Sequence, residues 1–252
     1  LAAVIDVDND REILFGDNLG IEDVVWMGAQ HSVKELAAAC GVAESMPYKR
    51  LSGIVKTARK TGRTVHYLPP YRTENKLILR DLLNIPHAAQ KGKASEAFIK
   101  AVVNQRAYKS AEEIDEMELA VDVSGMMHTA AMRAAMPGQH EYELAGLVEG
   151  IALSSGGRLS YPVILSIDGQ ILHNHYHGNE LEMGDLVLGD FGAETVRHYA
   201  GDITRTFPVA KKFTSKQRDI YNIVLDAEVS AIASLKPGIT YREVHLAAAR
   251  RI

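Results

Sequence analysis

Apolar and polar positions change their period several times along the chain, and each change marks an element. The opening residues LAAVIDV and the following EILFGD read as two strands around an Asp-Asn-Asp turn, and TVHYL at 64–68 reads as another. A helical pattern covers 47–61, and Ser32 with Glu35 forms a capping box that opens a shorter helix. Near 107–110 the texture shifts. Ser110 with Glu113 is a second capping box, and the helix it starts runs to about Ala135, where Met136, Pro137 and Gly138 stop it. A helix follows at 141–155, then predicted strands at 161–167 and 171–176 around Asp168 and Gly169. A turn at 182–185, with Asp185 as turn former, leads into the stretch LVLGDFGAETVRHYAGDITRTFP, which reads as two strands joined near 196–198. Thr214 or Ser215 then caps a helix to about Lys236, and Thr240 with Glu243 opens a last one after Pro237-Gly238. His245 on that helix reads as a packed or surface residue.

This order predicts an α+β chain of two domains, 1–106 and 107–252, packed together because nothing Gly/Ser-rich marks a flexible linker. Composition narrows the function classes. The formal charge of −4 over 252 residues gives no basic field, so neither nucleic acid nor anionic lipid is an expected partner. No apolar run approaches the roughly 20 residues of a membrane helix, and the first residues lack a basic segment followed by a long apolar core. Cys40 is the only cysteine, which fits a reducing compartment and hence the cytoplasm; standing before a glycine at the end of ELAAAC, it reads as a small buried hydrophobe. The chain opens inside a strand pattern and closes inside a helical one without a C-cap signal, as a part of a longer polypeptide would.

The candidate chemistry lies in the last long hairpin. Folded about Val196, it sets Asp190 and Asp202 opposite each other, with Cβ atoms roughly 4.5 to 5.5 Å apart. Two such carboxylates repel unless a cation sits between them, and a pair of metal ions about 3.5 to 4 Å apart is the arrangement that resolves the conflict. In an arbitrary hairpin both would be solvated charges; here the apolar strand before Asp190 argues for burial. Gly192, on the face of Asp190 by period two, leaves room for ions and substrate. His173, His175 and His177 alternate. On a strand all three share a face and form a three-imidazole zinc site; if the strand runs out at Gly178-Asn179, one histidine alone reaches the carboxylates as hydrogen-bond donor or proton carrier. Residues 1–105 show no phosphate loop, nucleophile elbow or metal-spaced cysteines.

The segments ILH at 171–173, EMGDLVLGDFGAE at 182–194, YAGDITRTFPV at 199–209 and LKPGITYREVH at 235–245 together resemble the pita-bread metallopeptidases, in their Xaa-Pro aminopeptidase (aminopeptidase P) and prolidase branch. The resemblance implies a pita-bread catalytic domain, incomplete in this chain, preceded by a smaller creatinase-type α/β domain. It implies two divalent ions, often manganese, with zinc or cobalt as substitutes, and makes Asp190 and Asp202 the first two metal ligands. His173 matches the histidine that positions the scissile peptide, and Thr204 and Arg205 fall in the motif as supports behind the ligands. The implied reaction is release of the N-terminal residue from a peptide with proline in second position, by a homodimer or homotetramer. A prolidase-type dipeptidase and a pita-bread binding module without catalysis are the alternatives. Two departures stand out. Asp190 and Asp202 are twelve positions apart, one more than in much of the family. The family's other ligands, a histidine and two glutamates on later strands, are expected beyond Ile252, which leaves this chain alone inactive.

Overall fold

The structure is a computed structural model that describes residues 1–252. The chain divides into two compact units, Leu1–Tyr108 and Lys109–Ile252.

In the first unit, β1 (Ala2–Asp6) pairs antiparallel with β2 (Arg11–Phe15). The turn between them is fixed by the Asp6 carboxylate, which accepts from the backbone N–H of Asn9, and by Asp10 in the left-handed region at φ 48°. Helices α1 (Ile21–Met27) and α2 (Val33–Ala39) follow, the latter opened by the Ser32–Glu35 capping box. Strand β3 (Glu44–Met46) then joins β2 in parallel. Helices α3 (Leu51–Lys60), α4 (Thr73–Leu83), α5 (His87–Gln90) and α6 (Glu96–Ala107) complete the unit. Its core gathers Ile13, Phe15, Leu51, Val55, Tyr67 and Leu83.

Two expectations fail in this unit. Residues 64–68 form no strand: their alternation is real, with Tyr67 buried between exposed neighbours, but the extended chain pairs with no strand. Tyr67 is instead held by its hydroxyl donating to the Gln90 carbonyl (2.9 Å) and by its own carbonyl accepting from Ser95 N (3.1 Å). Cys40 is exposed, because α2 ends at Ala39 and the buried stripe of Val33 and Ala37 ends with it.

The second unit begins with α7 (Ala111–Ala134) and α8 (Glu141–Ser154), which pack against each other. Short strand β4 (Arg158–Leu159) precedes β5 (Ile164–Ser166), β6 (Leu186–Phe191), β7 (Ala193–Glu194) and β8 (Ile203–Pro208). An antiparallel sheet runs in the order β5-β6-β8, and β4 pairs with β7. Helices α9 (Ser215–Ala233) and α10 (Tyr241–Ala249) close the chain, each opened by its threonine capping box. Val123, Met127 and Ala131 of α7 and Leu144 and Val148 of α8 meet Val187, Phe191 and Phe207 of the sheet in one core. No helix is long and apolar enough to cross a membrane.

The predicted strand at 171–176 is absent; 168–178 is a loop, so the alternation of its histidines has no sheet to act on. Asn174 breaks it locally, its side chain accepting from Tyr176 N (3.0 Å) and donating to Ser166 Oγ (3.1 Å). The loop is closed at its base by Glu141. This fully buried carboxylate accepts from Ile167 N (2.8 Å) and from Asn179 Nδ2 (3.1 Å), on either side of the loop.

Candidate functional site

The β6–β8 hairpin is centred one residue later than Val196. Its tip is closed by Thr195 N to Tyr199 O (2.8 Å) and by a bridge between Glu194 and Ala200, which puts Arg197 at the middle. Asp190 therefore stands opposite Thr204, and Asp202 lies just before β8. The two aspartates are diagonal rather than directly opposed, and by alternation Asp190, Asp202 and Thr204 share one face of the sheet. Asp190 is half-buried and Asp202 exposed. Arg205 lies on the other face with Phe207; its guanidinium donates to the Thr204 carbonyl (2.8 Å) and comes within 3.9 Å of Glu228 on α9.

One hydroxyl joins the acids. Tyr161 Oη lies 2.6 Å from Asp190 Oδ1 and 2.8 Å from Asp202 Oδ1, so the two carboxylate oxygens are no further apart than those two contacts allow. The phenol reaches them because its neighbour Ser160 is tied to both limbs of the hairpin. Ser160 N donates to the Gly192 carbonyl (2.9 Å) and its hydroxyl to the Gly201 carbonyl (2.7 Å), continuing the β4–β7 pairing. Burial and the two adjacent carboxylates raise the Tyr161 pKa, so the hydroxyl stays protonated and donates. The sequence pattern did not single out Tyr161; its partners are 29 and 41 residues away, and only spatial pairing reveals them.

Behind the sheet, α7 grips the same rungs. His128, 3% exposed, stacks on Phe191 with ring centroids 4.0 Å apart, and its Nε2 lies 2.7 Å from the Ile203 carbonyl and 3.3 Å from that of Phe191. Burial lowers its pKa, so it is held neutral. Ser124 Oγ donates to the Ala120 carbonyl (2.7 Å) and accepts from Ala193 N (2.9 Å). These approaches explain the glycines. A Cβ on Gly192 would collide with the Gly201 carbonyl oxygen, and one on Gly201 with Ser124 Oγ and the Ala120 backbone. Gly192 is thus required by close backbone packing and does not open space for ions, a correction to its expected role.

The histidines separate. His173 is exposed in the turn of the 168–178 loop and makes no hydrogen bond, whereas His177 Nδ1 lies 3.1 Å from the Leu165 carbonyl. His175 and His177 line a cleft of about 850 Å³ with Tyr142, Glu149 and Tyr161. No three metal-binding side chains cluster anywhere in the chain, so the three-imidazole site is not formed. Asp190 and Asp202 bring two hard oxygen donors to one hydroxyl, the donor type that would hold a hard divalent ion such as manganese or magnesium.

Comparisons with known proteins bear on the fold and the family. Residues 115–252, more than half of the chain, match metallopeptidase family M24, and residues 1–66 match the aminopeptidase P N-terminal domain. The chain is 45% identical over 148 residues to the Xaa-Pro aminopeptidase of Escherichia coli, covering 57% of this chain and 33% of that protein. It is 31% identical over 246 residues to a probable Xaa-Pro aminopeptidase of Botryotinia fuckeliana, covering 96% of this chain and 51% of the relative. Among solved structures, aminopeptidase PepP of Pseudomonas aeruginosa superposes with a TM-score of 0.80 at 27% identity, and E. coli aminopeptidase P with 0.80 at 29%. Each superposition covers 96% of this chain and 56% of the other, so the chain spans about half the length of these neighbours. Carrying an aminopeptidase P-type N-terminal domain ahead of a pita-bread domain that presents two aspartates on one hairpin, the chain belongs to metallopeptidase family M24, in its aminopeptidase P branch.

Proposed function

We propose that this chain is part of a metal-dependent aminopeptidase that releases the N-terminal residue from peptides with proline in second position, and that Asp190 and Asp202 are two of its metal ligands. The observation that carries the reading is the meeting of the two carboxylates at one hydroxyl beside the β6–β8 ladder. Membership of a metallopeptidase family implies divalent ions, and manganese is the ion proposed. The chemistry such ions supply when bound is an acidified water and a polarised peptide carbonyl. The single Tyr161 hydroxyl proton is shared between one oxygen of each acid, which orients the carboxylates and leaves their second oxygens for the cation. His173 is proposed as hydrogen-bond donor to the substrate peptide, a role for which its exposed ring is accessible. Thr204, opposite Asp190, supports the acid face, and Arg205 supports β8 from the other side. One histidine and two glutamates from outside these residues complete the proposed site.

The test compares this chain with the full-length protein. Full-length protein is expected to hold two manganese ions per subunit and to cleave an Xaa-Pro peptide, and Asp202→Asn to lose most of both. The 252-residue chain is expected to bind manganese weakly and turn nothing over. Unchanged turnover in full-length Asp202→Asn refutes the site assignment, and cleavage of Xaa-Pro dipeptides alone replaces the aminopeptidase with a prolidase. Size-exclusion chromatography with light scattering decides between the proposed homodimer and homotetramer.

A further inference from the structure

The buried histidine of α7 has no place in the chemistry above, yet its position is costly. Phe191 and Ile203 carbonyls can only accept, so the His128 proton sits on Nε2 and is shared between them. Nδ1 is then a bare acceptor, and it is buried without a partner. A phenylalanine would fill the same slot and stack on Phe191 without that orphaned nitrogen. What the imidazole adds is its grip on two carbonyls. Each belongs to the residue directly after an aspartate, Phe191 after Asp190 and Ile203 after Asp202. Phe191 and Ile203 are also the last register pair of the β6–β8 ladder, so Asp202 lies beyond the final rung. On the acid face the only side-chain tie to Asp202 is the Tyr161 hydroxyl.

We infer that His128 is a positioning residue for the divalent-ion face: its Nε2–H fixes the rung that sets Asp202 against Asp190. The inference rests on the reading of the two aspartates as metal ligands. The ring acts from the opposite side of the sheet and touches neither acid, so it bears on the cation only through the backbone. Groups hydrogen-bonded directly to a ligand change metal affinity by about 10–100-fold when removed, and His128, one residue from each acid, is expected at the low end of that range.

The test uses full-length protein and counts free manganese by electron paramagnetic resonance, with thermal unfolding of the metal-free form measured alongside. His128→Phe keeps the stack and removes the donor. His128→Gln places an amide N–H near the position of Nε2, and His128→Asn places one too short to reach. Manganese affinity is expected to fall about 10-fold or more in the Phe and Asn variants and to recover substantially in Gln. On an Xaa-Pro peptide, kcat should fall with the affinity while KM for the peptide stays near its original value. Wild-type affinity in a destabilised Phe variant overturns the inference and leaves His128 as core packing. If the Phe variant does not fold, equal affinities in Gln and Asn overturn it equally. Asp190→Asn and Asp202→Asn are run beside them. Undiminished manganese binding in both would refute the ligand reading itself, and that outcome is separate from the behaviour of His128.

Discussion

Removing a single oxygen atom from Tyr161 tests how the two acids tolerate each other. In Tyr161→Phe the ring keeps its packing, but contacts of 2.6 and 2.8 Å to Asp190 and Asp202 are lost. A phenol has one proton, so the two contacts together amount to about one charge-assisted hydrogen bond, worth roughly 1.5–3 kcal/mol. Asp202 is exposed and regains water, which places the net loss near the middle of that range, about 2 kcal/mol. For a unit of this size that corresponds to a fall in Tm of about 4–8 °C, read by circular dichroism at neutral pH with a chelator present. The pH dependence supplies a sharper check. The folded-state pKa of Tyr161 is raised above the ordinary phenol value of about 10, mainly by burial and then by the carboxylates. A raised pKa gives stability that is complete below the unfolded value and lost as pH climbs past it, because the unfolded chain releases a proton that the folded one retains. The wild-type advantage over Tyr161→Phe should therefore be full up to about pH 9.5 and shrink steadily beyond pH 10. A variant whose Tm matches the wild type, or a difference that stays constant through alkaline pH, would refute the bridging role.

Three further outcomes follow from packing and charge. Gly201→Ala drives a methyl group into Ser124 Oγ and the Ala120 backbone, neither of which is a flexible chain end, so urea unfolding should show a loss of about 3 kcal/mol or more. Glu141→Gln turns an acceptor facing Asn179 N into a donor; exchange of the amides in 167–179 should accelerate about 10-fold in hydrogen-exchange mass spectrometry, while α9 and α10 stay unchanged. In the first unit Asp6 is held well below the usual carboxylate range by Arg63, then by Asn9. A depressed pKa gives stability present above about pH 4 and lost as pH falls further, so the Tm gap between wild type and Arg63→Ala should narrow steadily below pH 4, and a gap that widens in acid would refute the pairing.

Helices α2, α3 and α7 to α10 were legible because their signals are local, whereas α1, α4, α5 and α6 were not singled out along the chain. Ser32, Ser110, Thr214 and Thr240 each meet a Glu or Gln three residues on, and all four boxes form. The last long hairpin was legible as two strands, but its register was not. Alternation fixes which residues share a face, and the one-residue shift to Arg197 comes from closure at Thr195 and Tyr199, where no apolar pattern operates. At 171–176 an alternating run of polar rings imitated a strand, and side-chain bonds from Asn174 drew the backbone into a loop. Tyr161 could not be found along the chain at all. His128 left a trace: with Ser124 it places two polar residues four apart on the buried stripe of α7, among Ala120, Met127 and Ala131. Polar side chains on a stripe that packs against a sheet have backbone to satisfy there, and both do so at the hairpin of the aspartates.

The one-residue shift also changes the logic of the acid pair. Directly opposed carboxylates would need a cation to exist at all, whereas diagonal ones, further apart, can be kept in place by a single proton donor. Tyr161 fills that need from β4's continuation, His128 and Ser124 hold the backbone from α7, and Gly192 and Gly201 let the two limbs approach. Bonds within the chain restrict the acid face, so at the site proposed above a cation would meet carboxylates with less freedom left to lose. Restriction of this kind lowers the entropic cost of binding. The supports come from three separate segments: Tyr161 acts on one oxygen of each acid from the acid face itself, while His128, Ser124 and the glycines act on the hairpin's backbone.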